Sequence, residues 1–216
     1  MIGESKVYAI TLVREQSKRL PNKHLLHCYH KPLSKWAVES ANRASYIDKV
    51  YVSTSSKKYQ DEFKEWFCGI IDREPEYDAD NLHTLEILKH EAAKLDPDDN
   101  DLIVYFDSTM PLTRFTHFNE AIVTMMLYDL KSCFTVKRQR YAIVGDPPTS
   151  SQERKDRYCY YGAVKVWTWD ALRGASVNTW GESDKHIDLP ICKDYEIDVN
   201  TKTDFAVAEA LLKAGF

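Results

Sequence analysis

Apolar and polar residues follow two alternating patterns over the first two thirds of the chain. Short apolar runs rich in β-branched residues are typical of buried strands. Longer segments with an apolar residue every three or four positions are typical of amphipathic helices. Predicted strands cover 6–13, 49–55, 101–108 and 131–137, and predicted helices cover 32–44, 57–67, 82–95 and about 116–130. This alternation predicts an α/β fold with a mostly parallel sheet between two layers of helices.

The last third of the sequence is less regular. Residues 138–157 are polar, contain two prolines and predict a loop or insertion. Two strand-like runs follow at 160–169 and 194–199, and 201–215 has the spacing of a final helix. We expect one domain over 1–216, with ligands bound where the strands end at the carboxyl edge of the sheet.

The net charge, the apolar runs and the cysteines indicate which binding partners and which cellular compartment to expect. The 216 residues carry a formal net charge of −4, which argues against nucleic acid as a partner. No apolar run approaches the length of a membrane span, and the amino-terminal segment lacks the pattern of a signal peptide. The five cysteines are scattered, with no CxxC pair, which predicts reduced thiols and a cytoplasmic location.

The segment VREQSKRLPNKHLLHCYHKP, residues 13–32, is strongly basic and follows the first predicted strand. It holds five Lys and Arg against one Glu, a local charge of 5 − 1 = +4. A loop at this position in an α/β sheet can cradle phosphate groups, although neither G-x-G-x-x-G nor the P-loop pattern is present. The alternative is a solvated basic surface loop.

The same segment resembles the first motif of the CMP-sugar synthetases, the acylneuraminate and 3-deoxy-manno-octulosonate cytidylyltransferases. That motif has the form A-R-x-x-S-K-R-x-P-x-K-N followed by G-K-P-L. Five further segments resemble family motifs in the same order. They are KVYVSTSS (V-I-V-S-T-D-D), DREPEYDAD (L-R-P-x-x-L-A-x-D), FDSTMPLTR (L-Q-P-T-S-P-L-R), YYGAVKVW (N-G-A-I-Y-I) and EIDVNTKTDFAVAEALL (I-D-I-D-T-x-x-D-L-x-x-A-E).

The resemblance implies a Rossmann-like fold of the nucleotide-diphospho-sugar transferase type that transfers CMP from CTP to an acidic sugar and releases pyrophosphate. It also implies Mg²⁺ and a homodimer formed through an insertion at about 138–160. The implied catalytic residues are Arg14, Lys18, Lys23 and Asp198. The nucleotide would be bound by Arg14, Ser17, Lys18, Arg19, Lys23, Arg73 and Asp107, the acceptor by Arg114, Tyr161 and Gly162, and the metal by Asp198, Asp107 and Asn200.

Two carboxylates have positions that suit a metal without reference to the family. Asp107 lies at the end of the third predicted strand and Asp198 at the end of a late one, so both are expected at the carboxyl edge. Hard divalent cations prefer such oxygen ligands. Asp107 can instead be a turn or cap residue, and Asn200 can cap the last helix. We expect Asp107 to supply the charge that Asn200 lacks relative to the family aspartate.

Other departures from the family pattern fall at ligand-facing positions: His24, His30, Ser55, Ser56, Asp107 and Tyr161. They leave two alternatives open, a nucleotidyltransferase fold with another acceptor or nucleotide, and a non-catalytic nucleotide- or sugar-binding module. His24, His27 and His30 are spaced by three, but no other zinc-type ligands accompany them beyond Cys28. Loop or solvent-facing histidines are the favoured interpretation.

Overall fold

The computed structural model describes residues 5–79, 81–139, 157–159, 163–178, 180, 184–192 and 197–216. Its strands are β1 Val7–Leu12, β2 His27–Cys28, β3 Lys31–Pro32, β4 Lys49–Thr54, β5 Gly69–Asp72, β6 Leu102–Phe106, β7 Ser132–Gln139, β8 Arg157–Cys159, β9 Val164–Thr168 and β10 His186–Cys192. Its α-helices are α1 Leu33–Asn42, α2 Lys57–Lys64, α3 Thr84–Ala93, α4 Phe115–Leu127, α5 Trp169–Gly174 and α6 Lys202–Lys213. Short 3₁₀ helices cover Lys23–Leu25 and Pro75–Asp78.

The main sheet has the strand order β10-β7-β9-β6-β1-β4-β5, with β8 paired to β7. β1 is parallel to β4 and β6, and β5 is parallel to β4. Within the described part of this sheet, only β9 and β8 run antiparallel to their neighbours. The carboxyl ends of six strands therefore meet at one edge, as the sequence pattern predicts.

Helices cover both faces of the sheet. On one face, a core packs α1, α2 and α4 against the strands through residues such as Val38, Phe63 and Phe118. On the other face, α3 and α5 contribute Leu88 and Leu172 to a second core. A third, smaller core joins α6 to the loop after β1. The predicted α/β sandwich is thus confirmed.

Several predicted boundaries differ from the structure. The second helix ends at Lys64 rather than 67, because Phe67 adopts a positive φ of 60° and its side chain is 92% exposed. Residues 197–199, expected in a strand, are not in regular secondary structure. The strands β5 and β10 and the helix α5 were not predicted. The segment 138–160 expected to form an insertion, with Tyr161 and Gly162 after it, lies mostly outside the described residues.

Candidate active site

The basic loop lies at the carboxyl edge of the sheet and is anchored at both ends. After β1, the Val13 amide donates to the Ser53 carbonyl of β4 at 2.9 Å, which extends the strand pairing. Leu20, in the middle of the loop, is buried in the third core against Val199 and Leu212. Pro21 and the left-handed Asn22 then turn the chain into the 3₁₀ helix. The loop is therefore held in place by packing.

Four of the five cationic side chains of this loop, all except Lys31, line a common cleft of about 340 Å³. Lys23 is partly buried, and burial lowers the pKa of its ammonium while the nearby Asp198 opposes that shift. Lys18 and Arg19 are more exposed. Clustered cations of this kind attract a polyanion. The predicted nucleotide residues that line the cleft are Arg14, Ser17, Lys18, Arg19, Lys23, Arg73 and Asp107.

Arg73 supports the loop from below. It is 2% exposed, donates from its guanidinium to the Val13 carbonyl, and lies 2.7 Å from the Asp78 carboxylate. Asp78 also accepts a hydrogen bond from Ser55, and its carbonyl accepts one from Arg14 at 3.2 Å. Arg73 thus connects the end of β1 to the 3₁₀ helix at Pro75–Asp78. It also lines the cleft.

His24 corrects the expectation of a solvent-facing histidine. Its ring is buried, with Nδ1 2.8 Å from the Ser34 hydroxyl of α1 and 3.4 Å from that of Ser108. Burial lowers the pKa of this imidazole to about 3, and the neighbouring Lys23 and Arg73 act in the same direction. His27 and His30 are exposed, as expected. The neutral His24 therefore fastens the loop to the core.

Asp107 forms part of the wall of the cleft, and the Asp198 carboxylate lies near it. Asp107 follows β6 and accepts a hydrogen bond from the Tyr105 hydroxyl at 2.6 Å. Asp198 is brought alongside because the Val199 amide donates to the Thr109 carbonyl at 3.0 Å. The Thr109 hydroxyl donates to Asp198 at 2.6 Å. Burial raises the pKa of Asp107, and the negative charge of Asp198 raises it further. The charge of Asp198 therefore acts on the Asp107 carboxylate.

Asn200 connects the carboxylates to the basic loop. Its amide oxygen accepts from Arg19 at 2.9 Å and from Lys23 at 3.1 Å. Its amide nitrogen donates to Asp198 at 2.5 Å. The alternative in which Asn200 caps the last helix is wrong: Thr201 is the cap residue, with its hydroxyl accepting from the Asp204 amide. Asn200 instead bridges the cations of the loop to Asp198.

The donor set at this wall fits a hard divalent cation. Asp107 and Asp198 present carboxylate oxygens that repel each other, and a cation between them would relieve that repulsion. A second group of possible ligands, Glu74, His90 and Glu91, lies elsewhere among the described residues. There the Lys94 ammonium lies 2.6 Å from Glu74 and 3.0 Å from Glu91, so a lysine already offsets part of the negative charge of that cluster.

Arg114 is not among the residues that line the cleft. It is the exposed N-cap residue of α4, where its backbone amide donates to His117. Tyr161 and Gly162 lie outside the described residues. Sequence reasoning missed Tyr105, Ser108, Thr109 and Lys165 near this wall. Lys165 had a detectable signal, because it stands at the tyrosine of the N-G-A-I-Y-I motif.

Among the described residues, no helix has the length and apolarity required to cross a bilayer. The strand order and the loop after β1 define an α/β fold of the nucleotide-diphospho-sugar transferase type. A family model described as cytidylyltransferase matches residues 8–161, and the chain belongs to that family. Cytidylyltransferases generally use a divalent cation.

Curated relatives carry related names. An N-acylneuraminate cytidylyltransferase of Oncorhynchus mykiss is 26% identical over 234 aligned residues, covering 99% of this chain and 52% of the relative. One of Streptococcus agalactiae serotype V is 26% identical, with 93% and 52% covered. The chain thus spans about half the length of these relatives.

Solved structures share the fold. A CMP:2-keto-3-deoxy-manno-octonic acid synthetase complexed with CTP superposes with a TM-score of 0.74 at 15% identity, covering 98% of this chain and all of that one. A 4-diphosphocytidyl-2C-methyl-D-erythritol synthase from Anaerococcus prevotii gives a TM-score of 0.67 at 14% identity, with 98% of each chain covered. At these identities the likeness concerns the fold.

Proposed function

We propose that this protein transfers CMP from CTP to a hydroxyl group of an acidic sugar and releases pyrophosphate. The observation that carries the proposal is a cleft lined by four loop cations and by Asp107, with the Asp198 carboxylate near enough to Asp107 to act on it. Clustered cations suit the negative charge of a triphosphate, and neighbouring carboxylates suit a divalent cation. The names of the curated relatives, N-acylneuraminate cytidylyltransferases, support an acidic sugar as acceptor.

The loop would hold the triphosphate. Arg14, Lys18 and Lys23 would bind and orient phosphate oxygens and stabilise charge as it develops on the leaving pyrophosphate, so we assign them catalytic roles. Arg19 would add a further cation and Ser17 a hydroxyl or backbone contact. Because packing and hydrogen bonds already fix this loop, little conformational entropy would be lost when the nucleotide binds.

Asp198 and Asp107 would hold Mg²⁺, with Asn200 as a candidate third ligand once its amide oxygen leaves the loop cations. Bound there, Mg²⁺ would neutralise phosphate charge and orient the α-phosphate. In the reaction, the acceptor oxygen would form a bond to the α-phosphorus and lose its proton, while the bond from phosphorus to the pyrophosphate oxygen breaks. Arg73 would act by positioning Arg14 and the end of β1.

The acceptor would approach from the side of Asp107 that faces β9. Gly162, which precedes that strand, would allow close backbone approach, and Tyr161 would offer a ring. Arg114 belongs to this proposal only if a bound acceptor reaches the start of α4.

The test is pyrophosphate release with CTP, MgCl₂ and a panel of eight- and nine-carbon acidic sugars. We expect release with at least one sugar, and loss of release in EDTA and in Asp198→Ala. Asp61→Ala, which removes an exposed carboxylate from α2, should behave as wild type. CTP binding without release would favour a different acceptor or a binding module, and absence of CTP binding would refute the proposal.

The family resemblance also supports a homodimer, which we propose forms through the segment at about 138–160. Light scattering of the purified protein should give twice the mass of one chain, and a monomer mass would contradict it. Cys28, Cys68 and Cys133 are free thiols, which supports a reducing, cytoplasmic setting.

A further inference from the structure

Lys165 is a cation at the end of an apolar face of the sheet. In β9 it pairs with Tyr105 of β6 on one side and with Phe134 of β7 on the other. Its ammonium lies 4.2 Å from the centroid of the Trp180 ring and 5.8 Å from that of the Tyr105 ring. Trp167, two residues further along β9, is fully buried in the second core. Lys165 therefore stands where this core meets the carboxyl edge.

The ammonium of Lys165 has only aromatic partners within the described part of the chain. No hydrogen bond or ion pair to it is formed there, and burial lowers its pKa, with Asp107 as the charge that opposes this shift. Placing an ammonium in such surroundings without an anion at contact distance costs free energy. A half-buried ammonium without a direct counter-ion among the described residues is therefore a candidate for ligand binding.

Asp107 links Lys165 to the cleft. The Tyr105 hydroxyl donates to Asp107 at 2.6 Å, and both residues line the cleft. A divalent cation on Asp107 and Asp198 would bring the sum of these charges to −2 + 2 = 0. The positive charge of Lys165 would then remain without compensation beside the space left for the acceptor. That end of the cleft would attract an anion.

We propose that Lys165 binds the carboxylate of the acceptor sugar and so selects acidic over neutral acceptors. This inference rests on the proposed function. It assigns recognition of the carboxylate of the acceptor to Lys165. The rings of Trp180 and Tyr105 would flank the sugar carboxylate and exclude water, which strengthens a charge-assisted contact. The competing role for Lys165 is structural, as a cation that fastens Trp180 to the sheet.

The experiment compares an acid with its uncharged derivative. Binding of N-acetylneuraminic acid, 3-deoxy-D-manno-octulosonic acid and their methyl esters would be measured by calorimetry with CMP and MgCl₂ present. The proteins are wild type, Lys165→Met, Lys165→Arg and the control Lys49→Met. Lys49 suits this purpose because its ammonium also lies over a tyrosine ring, at 4.9 Å from Tyr51, but at the opposite edge of the sheet.

We expect wild type to bind one acid about 10- to 100-fold more tightly than its ester, as for a hydrogen bond to a charged group. Lys165→Met should lose this preference, Lys165→Arg should keep most of it, and Lys49→Met should match wild type. CTP affinity, measured separately, should be the same in all four proteins.

Three results would overturn the inference. The first is an acid preference that Lys165→Met retains. The second is the absence of an acid preference in wild type. The third is that Lys165→Met weakens binding of acid and ester equally and loses thermal stability. The last result would assign Lys165 the structural role. If wild type does not bind CTP, the proposed function itself is refuted. CTP binding is measured in a separate titration, so the two failures can be distinguished.

Discussion

Replacing Asn200 by aspartate restores the second carboxylate of the family motif. The replacement therefore tests the proposed metal site at Asp107 and Asp198. In the present structure the Asn200 amide oxygen accepts from Arg19 and Lys23, and the amide nitrogen donates to Asp198 at 2.5 Å. Asn200→Asp keeps the first two contacts but turns the third into a contact between two carboxylates. Without a divalent cation the variant should therefore be less stable than wild type.

The magnitude follows from the contacts. Two carboxylates about 4 Å apart repel by about 4 kcal/mol at an effective dielectric constant of about 20. Stronger, charge-assisted bonds from Arg19 and Lys23 return about 1 kcal/mol each. Asn200 is partly exposed, and solvent screening reduces the remainder to about 1–2 kcal/mol. For a chain of this size that corresponds to a Tm lower by about 3–6 °C.

The assay is thermal unfolding in EDTA and in MgCl₂. Asn200→Asp should unfold at a lower temperature than wild type in EDTA, and MgCl₂ should raise its Tm more than that of wild type, since the new carboxylate adds a ligand. Asn119→Asp is the control, because Asn119 also accepts through its amide oxygen, from the Ser45 amide, on the distant helix α4. Equal Tm values for Asn200→Asp and wild type in EDTA, or equal responses to Mg²⁺, would refute the reasoning.

Two further predictions concern buried charge. His24 has a pKa of about 3 when folded and 6.5 when unfolded, so the unfolded chain binds the extra proton and stability falls as pH drops below 6.5. The free energy of unfolding should fall by about 1.4 kcal/mol per pH unit. Urea unfolding between pH 7 and 5 should show this fall in wild type. An equal dependence of the unfolding free energy on pH in His24→Asn would contradict the prediction. Arg73→Met should cost about 3 kcal/mol by breaking a buried ion pair with Asp78. Urea unfolding beside the exposed-site control Arg43→Met measures this, and a change below about 1 kcal/mol would show that Arg73 does not hold the loop.

The parallel core of the fold was predictable because its strands are long apolar runs, as in Leu102–Phe106, where all five residues are buried. Shorter or interrupted strands were not. Gly69–Asp72 has only two apolar residues after its glycine, too few for a periodic signal. His186–Cys192 contains Pro190, which argues against a strand, and the structure places this strand at the edge of the sheet, where proline is tolerated.

The candidate site was predictable where side chains follow strands or lie in the basic loop. Asp107 and Arg14 are examples, since sheet topology alone brings strand ends together. The burial of His24 was not predictable, because it depends on Ser34 and Ser108, which reach it from separate elements. The motif position of Lys165 was visible in the sequence, but its surroundings were not predictable, because its neighbours across the sheet decide them.

The contacts of Lys23 have a consequence for how the protein is made. Its ammonium donates to the Val199 carbonyl at 3.1 Å across 176 positions of sequence, and Leu20 packs against Val199 in the same region. A ribosome-bound chain that lacks residues 198–213 can therefore form β1 and the neighbouring strands. Its basic loop, however, lacks the contacts of Lys23 and Leu20 with Val199. Nucleotide binding should appear only after α6 has emerged from the ribosome.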